Sequence, residues 1–398
     1  MPSTRGSKRK NPMAAAGAGA DPDRFTALPL ELRAHIASFL PYEQIARLTV
    51  LSRPWLHIHH HTPVIEVSLF SLPGLLRDED AALGLRAALR RRTQEVPRSK
   101  VDALSLGYIV DDLRMRGHAD RIIALADASK LCVMVPDGGA ASRNVWTLDL
   151  PPAARHLEVT AVDHLAPAIA GPGAAALRKL VLSCVVVREW PHLPSLRSLA
   201  LEDVTVEAAF APGAWCPLLE ELGIFCTKIE QARVDIRLPL LKFLDLDELD
   251  VCPSGQLEGP PFGYITVDAP ELVELDVNCE PGSTVDYKSF TLRAPRLRLL
   301  RWYNQFAKRV HIDVGRPGSV KVGRIKFMSI HTREIKYYRV QMMLMLQGLL
   351  PNVPPESVAD VTRPYRTRVK YTEVEDGEVI TEEKITCDLR ALMSCGGI

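Results

Sequence analysis

Residues 177–201 read LRKLVLSCVVVREWPHLPSLRSLAL and contain one short pattern twice. The pattern is L-x-x-L-x-L, and its members are Leu177, Leu180, Leu182, Leu196, Leu199 and Leu201. Alternate side chains of a strand point to opposite faces, so the second and third leucines of each copy share one face. The stretch therefore predicts two copies of a repeat, each of which supplies one strand with its leucines turned inward.

The same pattern recurs four more times toward the C-terminus. Its further members are Leu219, Leu222, Ile224, Leu241, Leu244, Leu246, Leu272, Leu275, Val277, Leu297, Leu300 and Trp302. Successive copies start 19, 23, 22, 31 and 25 residues apart, and a proline lies just upstream of most of them. This is leucine-rich-repeat spacing of irregular length. It predicts a solenoid with a parallel sheet, in which no repeat is stable without its neighbours.

Weaker strand signals extend the predicted solenoid over residues 100–324. They are DALSL, LCVMV, VWTLDL and HLEVT, which start at residues 102, 131, 145 and 156. Cys184, Cys226 and Cys279 each follow the first leucine of a repeat by seven residues. We interpret these three as small, buried, apolar side chains rather than as metal or redox ligands.

Residues 325–398 are expected to close the C-terminal end of the solenoid. One helical stripe joins Ile335, Tyr338, Met342, Met345, Leu346 and Leu349. A β-hairpin is predicted around Asp376 and Gly377. Because an exposed repeat core needs a cover, helix and hairpin together are interpreted as a cap.

Residues 23–62 predict three short helices with wide apolar faces. Pro29 suits a first helical turn, and Pro41 ends the first helix and can open the next. Leu32, Ile36, Phe39 and Leu40 share one face of the first helix. About forty residues cannot bury that much apolar surface internally. Part of it should cover a partner or the next domain.

The remaining segments are a tail and a linker. Residues 1–22 read as a disordered tail, whose KRK at 8–10 fits a weak nuclear import signal or, as we favour, a solvated basic tail. Residues 63–99 read as a linker, with a short β-rich run and a helix. The arginines at 90–92 are expected to form a solvated end of that helix.

Composition argues against several classes of partner. The chain has 398 residues and a formal net charge of +1, which gives no bulk electrostatic reason to bind nucleic acid or an anionic membrane. No secretory signal or membrane span is recognisable. Eight cysteines lack C-x-x-C spacing, which favours reduced thiols in the nucleus or cytoplasm.

No catalytic motif stands out. His57, His59, His60 and His61 are clustered, and imidazoles can bind zinc or copper, but neighbours in one segment rarely converge on one ion. A solvent-facing helix end is the favoured interpretation. Asp111, Asp112 and the run DLDELD at 245–250 are expected at a helix start and on the outer face of a strand. We therefore expect no enzyme activity, no metal and no cofactor.

The segment DRFTALPLELRAHIASFLPYEQIARLTVLSRPW at 23–55 resembles the F-box of plant F-box proteins. Together with the repeats, it is similar to the F-box/leucine-rich-repeat proteins common in grasses. The implied fold is α+β and multi-domain: a three-helix F-box, then an irregular α/β leucine-rich-repeat solenoid with a parallel sheet, then the cap.

This resemblance implies a non-catalytic substrate receptor of a Skp–cullin–F-box ubiquitin ligase. The F-box would bind a Skp-type adaptor and through it a cullin, while the repeats would recruit a protein substrate whose identity the sequence does not indicate. The residues implied to face or support the adaptor are Leu28, Pro29, Leu32, Ile36, Pro41, Leu48, Val50, Leu51 and Trp55.

Three positions depart from the family pattern. Pro54 stands where the family usually has Arg or Lys, and Arg33 and His35 stand where acidic or apolar residues are common. Each change is expected to weaken adaptor binding. The alternative function is therefore a leucine-rich-repeat scaffold that is not active in ubiquitylation.

Overall fold

One long, mostly parallel β-sheet organises the molecule. The computed structural model describes residues 27–40, 44–45, 47–48, 55, 57–68, 78–95, 101–136, 145–253, 263–281, 286–316, 319–320, 322–329, 335–350, 365–370 and 379–390. Within these ranges the chain is a β-solenoid of about nine turns with few helices.

The strands, numbered in chain order, are β1 (Val64–Ser68), β2 (Ala103–Gly107), β3 (Lys130–Val135), β4 (Thr147–Asp149), β5 (His156–Leu165), β6 (Ala168–Ala170), β7 (Lys179–Val187), β8 (Ser198–Glu202), β9 (Thr205–Val206), β10 (Glu221–Phe225), β11 (Lys228–Ile229), β12 (Arg233–Arg237), β13 (Phe243–Asp247), β14 (Asp250–Val251), β15 (Gly263–Asp268), β16 (Glu274–Asn278), β17 (Asp286–Arg293), β18 (Leu299–Tyr303), β19 (Phe306–Ala307), β20 (Val310–Asp313), β21 (Val322–Ser329), β22 (Tyr365–Lys370) and β23 (Val379–Asp388). The helices are α1 (Leu30–Ala37), α2 (Ile58–His61), α3 (Asp78–Glu95), α4 (Leu113–Ala126), α5 (Pro212–Trp215) and α6 (Ile335–Leu349).

The main sheet stacks one strand from each turn in chain order. Its order is β1-β2-β3-β5-β7-β8-β10-β13-β16-β18-β21, all parallel, followed by the antiparallel strands β23 and β22. The repeat pattern sets the register, because the middle leucines pair in an unbroken row. That row is Leu180, Leu199, Leu222, Leu244, Leu275 and Leu300.

All eighteen apolar members of the six predicted repeats are buried in one continuous core. Burying a leucine side chain contributes roughly 1.5–3 kcal/mol. Each turn alone would leave this apolar surface exposed on both sides, so the turns are stable only as a stack. The prediction of a repeat solenoid is confirmed.

The sheet begins before the boundary predicted at residue 100. β1, which lies in the predicted linker, pairs in parallel with β2 from Val64 to Ser68. α3 lies between these two strands in the chain, so β1 belongs to the main sheet rather than to a linker. The segment VWTLDL also differs from the prediction. It contains a strand, β4, but β4 pairs with β6 outside the main sheet.

The side of the solenoid opposite the main sheet changes from helix to strand along the chain. α3 and α4 occupy it in the first turns, whereas β12, β15, β17, β19 and β20 form a second parallel sheet later. Sequences such as GYITVD alternate buried and half-buried residues, which suits a strand and leaves a helix no continuous apolar stripe. The α/β description therefore holds only for the first turns.

The predicted burial of the three repeat cysteines is only partly right. Cys279 is buried, but Cys184 is half-buried and Cys226 is exposed. Cys184 and Cys226 have φ values of 58° and 45°, so the backbone is left-handed at both positions, within β7 at Cys184 and directly after β10 at Cys226. Their thiols then reach sideways toward carboxylates on the next turn, with 3.6 Å between Cys226 Sγ and Glu248 Oε2.

The C-terminal region closes the sheet as predicted. α6 buries Tyr338, Met342, Met345, Leu346 and Leu349, together with Gln341. Gln341 receives a hydrogen bond from the Ala307 amide at 3.1 Å and donates one to the Gln305 carbonyl at 3.1 Å. β22 and β23 form the hairpin, and β23 pairs antiparallel with β21. The predicted turn at Asp376 and Gly377 lies outside the described residues.

Candidate functional site

The N-terminal helices form a small core of their own. Ala34 and Ala37 of α1 pack with Ile45 and Ile58 in a cluster separate from the core of the solenoid. Three partly buried side chains, Leu30, Leu40 and Trp55, pack against this cluster. Because alanine side chains are small, the helices approach closely, and the small core is filled without the large apolar side chains of α1.

The apolar stripe of α1 consequently faces outward. Leu32 is 51 % exposed, Ile36 is 38 % exposed and Phe39, just after the helix, is 77 % exposed. We call these three residues the α1 apolar face. The sequence prediction that this unit has more apolar surface than it can bury agrees with this arrangement.

The other residues implied in adaptor binding are distributed around the unit. Pro29 is exposed, while Leu28, Leu48 and Trp55 are half-buried. Pro41, Val50 and Leu51 lie outside the described residues, as does Pro54. Phe39 was not among the implied site residues, although its position seven residues after Leu32 indicates the same face. His35 is exposed, and its ring centroid lies 5.2 Å from that of Phe39.

A buried arginine joins this unit to the solenoid. Arg92 of α3 is 2 % exposed and donates hydrogen bonds to the carbonyls of Thr62, at 2.6 Å, and His59, at 3.3 Å. These carbonyls end α2, where the helix dipole favours a positive charge. The prediction of a solvated arginine run is therefore wrong for Arg92, whereas Arg90 and Arg91 are exposed.

The histidine cluster surrounds the same junction. His57 is exposed, and His59 and His61 are half-buried. Burial, together with the positive charge of Arg92, lowers the pKa of His61. Among the residues that the structure describes, no three His, Cys, Asp or Glu side chains are placed to hold a metal ion.

The second candidate surface is the open face of the main sheet, formed by the residues that alternate with the buried leucines. Carboxylates gather there on β13 and β16, where Asp245 pairs in register with Asp276, and Asp247 with Asn278. Asn278 Nδ2 donates to Asp247 Oδ1 at 2.8 Å, and Arg301 Nη1 donates to Asp276 Oδ2 at 2.6 Å. The outward position predicted for DLDELD is correct for Asp245 and Asp247.

Asp245 has the clearest electrostatic perturbation on this face. Its half-buried position, then the neighbouring carboxylates of Asp276 and Asp247, raise its pKa to about 6, while Arg301 opposes the shift. The cluster thus favours a cationic neighbour. The other predicted acidic pair has a structural role, since the Asp112 side chain accepts hydrogen bonds from the Arg114 and Met115 amides and caps α4.

Aromatic rings flank these charges. Phe243 is exposed and Tyr303 is half-buried on the same face. The ring of Phe225 lies against Gly223, where a Cβ atom would be 2.6 Å from it. Phe243, Asp245, Asp276 and Arg301 occupy variable x positions of L-x-x-L-x-L. The others follow the last apolar residue of their repeat, namely Phe225, Asp247, Asn278 and Tyr303. This pattern does not say which of these residues act together.

No protein-family model, no curated protein and no solved structure matches this chain. In the described part of the chain, no helix combines the length and apolar character needed to cross a membrane.

Proposed function

We propose that this chain is the substrate-recognition subunit of a Skp–cullin–F-box ubiquitin ligase. The observation that carries the proposal is the α1 apolar face, which presents Leu32, Ile36 and Phe39 to solvent on a separate helical unit. Exposed apolar clusters of this kind are typical of protein–protein contacts. The resemblance of residues 23–55 to an F-box identifies the expected partner as a Skp-type adaptor.

The solenoid supports the other half of the role. Its open face is a long surface of charged and aromatic side chains on a rigid sheet, which suits recognition of a protein substrate. The chain would supply proximity rather than chemistry. Holding a substrate near the charged conjugating enzyme raises the effective concentration of its lysines.

The α1 apolar face allows a specific test of adaptor binding. Leu32→Asp should abolish co-purification with a Skp-type adaptor, because a buried apolar contact is replaced by a charge. An anchor residue of this kind is worth about 2 kcal/mol or more, roughly a thirty-fold change in affinity. Binding is measured with the purified full chain and adaptor.

Leu344 provides the matched control. It is also an exposed leucine on a helix, 42 % accessible, but it belongs to α6 at the other end of the chain. Leu344→Asp should bind the adaptor like wild type. Failure of the wild-type chain to bind any Skp-type adaptor, or unchanged binding by Leu32→Asp, would contradict the proposal.

A specific observation favours a second candidate, a repeat scaffold that takes no part in ubiquitylation. His35 lies beside Phe39 on the α1 apolar face, and a polar imidazole there weakens an apolar contact. This candidate predicts repeat-domain partners whose abundance is unchanged when the proteasome is blocked. The ligase role predicts that at least one partner accumulates.

A further inference from the structure

A cavity of about 270 Å³ opens on the open face of the main sheet, near the C-terminal cap. Three arginines line it, Arg301 of β18, Arg324 of β21 and Arg390 just after β23, together with Tyr303 and Asp388. It adjoins the carboxylate cluster around Asp245, with which it shares Arg301, and it is distinct from the α1 apolar face.

Strand register brings these charges together. Arg301 pairs with Arg324, and Arg324 pairs with Asp388 on the antiparallel strand of the cap. Arg390 is placed by a local turn, in which its backbone amide donates to Asp388 Oδ1 at 3.0 Å. The cavity therefore depends on the meeting of the last repeats with the hairpin, which are distant in sequence.

Within the described part of the chain, the ion pairs of Arg301 and Arg324 engage only some of their N–H donors. Arg324 lies 4.0 Å from Asp388, beyond hydrogen-bond distance, and Arg301 is paired on one side with Asp276 at 2.6 Å. A guanidinium carries five N–H donors and can bind two acceptors at once. An anion in the cavity could accept hydrogen bonds from more than one of these guanidinium groups.

We propose that this cavity binds a phosphate monoester. Its lining residues, three arginines and Asp388, carry a formal charge of +2, or +1 when Asp276, the ion-pair partner of Arg301, is counted, which is opposite in sign to the charge of about −1.5 to −2 on a phosphate monoester at neutral pH. The guanidinium fork suits phosphate oxygens, and the Tyr303 hydroxyl adds a donor. The volume of about 270 Å³ is slightly below the roughly 300–1,000 Å³ of sites that enclose drug-sized ligands, so the cavity has room for a phosphate group and the atoms next to it.

Such a group has two possible sources, a small phosphorylated molecule and a phosphorylated side chain of a protein. The apolar walls, Leu299 and Val322, are the parts of the cavity that would contact the carbon atoms next to the phosphate. The shared chemistry is the ester phosphate. The proposal stands independently of adaptor binding.

Isothermal titration calorimetry on the purified full chain, without adaptor and at low salt, tests this inference. The probes are inorganic phosphate, a phosphoserine peptide and its unphosphorylated twin. Arg324→Gln and Arg390→Gln should each weaken phosphate binding about ten-fold, because each removes a charge-assisted contact. Both arginines are exposed, so the substitutions leave the core unchanged, which circular dichroism would verify.

Arg197→Gln is the matched control. Arg197 is an exposed arginine ion-paired with Glu220 on a distant turn, and its loss changes the net charge equally. Unchanged phosphate binding in this variant supports a local site. Tighter binding of the phosphopeptide than of phosphate indicates a protein source, and equal binding indicates a small molecule.

Three results would overturn the proposal. They are no heat of binding at millimolar phosphate, an equal loss of affinity in Arg197→Gln, and measurable binding of both peptides with the same affinity. The pH dependence gives an independent check. Binding of the phosphoserine peptide should weaken as pH falls through about 6, where the phosphate monoester gains a proton.

Discussion

Five of the six repeats have a left-handed backbone at the position seven residues after their first leucine. Asp203, Glu248 and Asn304 have φ values of 55°, 51° and 56°, like Cys184 and Cys226 at the same position of their repeats. At this position the Asn304 side chain forms two hydrogen bonds: it donates to the Cys279 carbonyl and accepts from the Met328 amide. One side chain thus bridges the turns on either side of its own.

The raised pKa of Asp245 predicts that the stability of the folded chain depends on pH. Its pKa is about 6 in the folded chain and 3.8 ordinarily, so the native state binds more protons between these values. Stability should therefore fall as pH rises from about 4 to 6. Asp245→Asn should remove this slope and raise stability at pH 7 by about 1 kcal/mol, after discounting for solvent screening of a half-exposed group.

Urea unfolding of both proteins at several pH values between 4 and 7 measures this difference. A slope that survives unchanged in Asp245→Asn would assign the pH dependence to other groups. Asp276→Asn is not an equivalent test, because it also removes the ion pair with Arg301.

At the scale of elements, the Arg92 side chain links the N-terminal helices to the solenoid. Arg92 projects from α3 and satisfies two carbonyls at the end of α2. Thr62, which is buried beside it, also bonds back to the Ile58 carbonyl through its hydroxyl at 3.0 Å. The small core of the N-terminal unit is separate, so this junction is a major determinant of its orientation.

Arg92→Met should loosen the N-terminal unit while leaving the solenoid folded. The substitution keeps an apolar stem but leaves buried carbonyls without their donor, at a cost of about 2–3 kcal/mol. Hydrogen exchange should accelerate in α1 and α2 and stay slow in β10 and β13. Arg91→Met, at the exposed neighbour, is the control, and an identical exchange pattern in the two variants would disprove the role of Arg92.

At the scale of the whole molecule, the C-terminal cap ends a sheet that could otherwise continue to pair. β23 covers β21, and Ile385 pairs with Phe327 in the buried layer. Phe327 in turn stacks on Tyr338 of α6, with ring centroids 4.9 Å apart. Hairpin and helix therefore protect both the last strand and the last layer of the core.

Ile385→Asp should open this cap. A carboxylate in the buried layer costs several kcal/mol, and the released edge of β21 can pair with other chains. We expect aggregation by size-exclusion chromatography with light scattering and a lower denaturation midpoint. Thr386→Asp, on the opposite face of the same strand, should remain like wild type. A monomeric Ile385→Asp protein of normal stability would show that the cap is dispensable.

Much of the fold was predictable because its determinants are local. The inward leucines, the stripe of α6 and the hairpin each follow from a period of two or 3.6 within one segment. The change from helices to strands opposite the main sheet was not predicted from the sequence. A short alternation of apolar and polar residues forms a strand there only because strands of the neighbouring turns pair with it. The site was less predictable, since Leu32, Ile36 and Phe39 have the same period whether their face is covered or exposed.

The sequence by itself determined which residues are buried in the repeats, since each turn repeats the same apolar pattern and packs only on its neighbours. Tertiary structure decided the rest: the outward face of α1, the burial of Arg92, and the meeting of Arg301, Arg324 and Arg390. These features depend on contacts between segments about thirty to ninety residues apart. At these sites the burial of side chains and the grouping of charges depend on how the elements pack together, and the repeat pattern within one segment does not specify that packing.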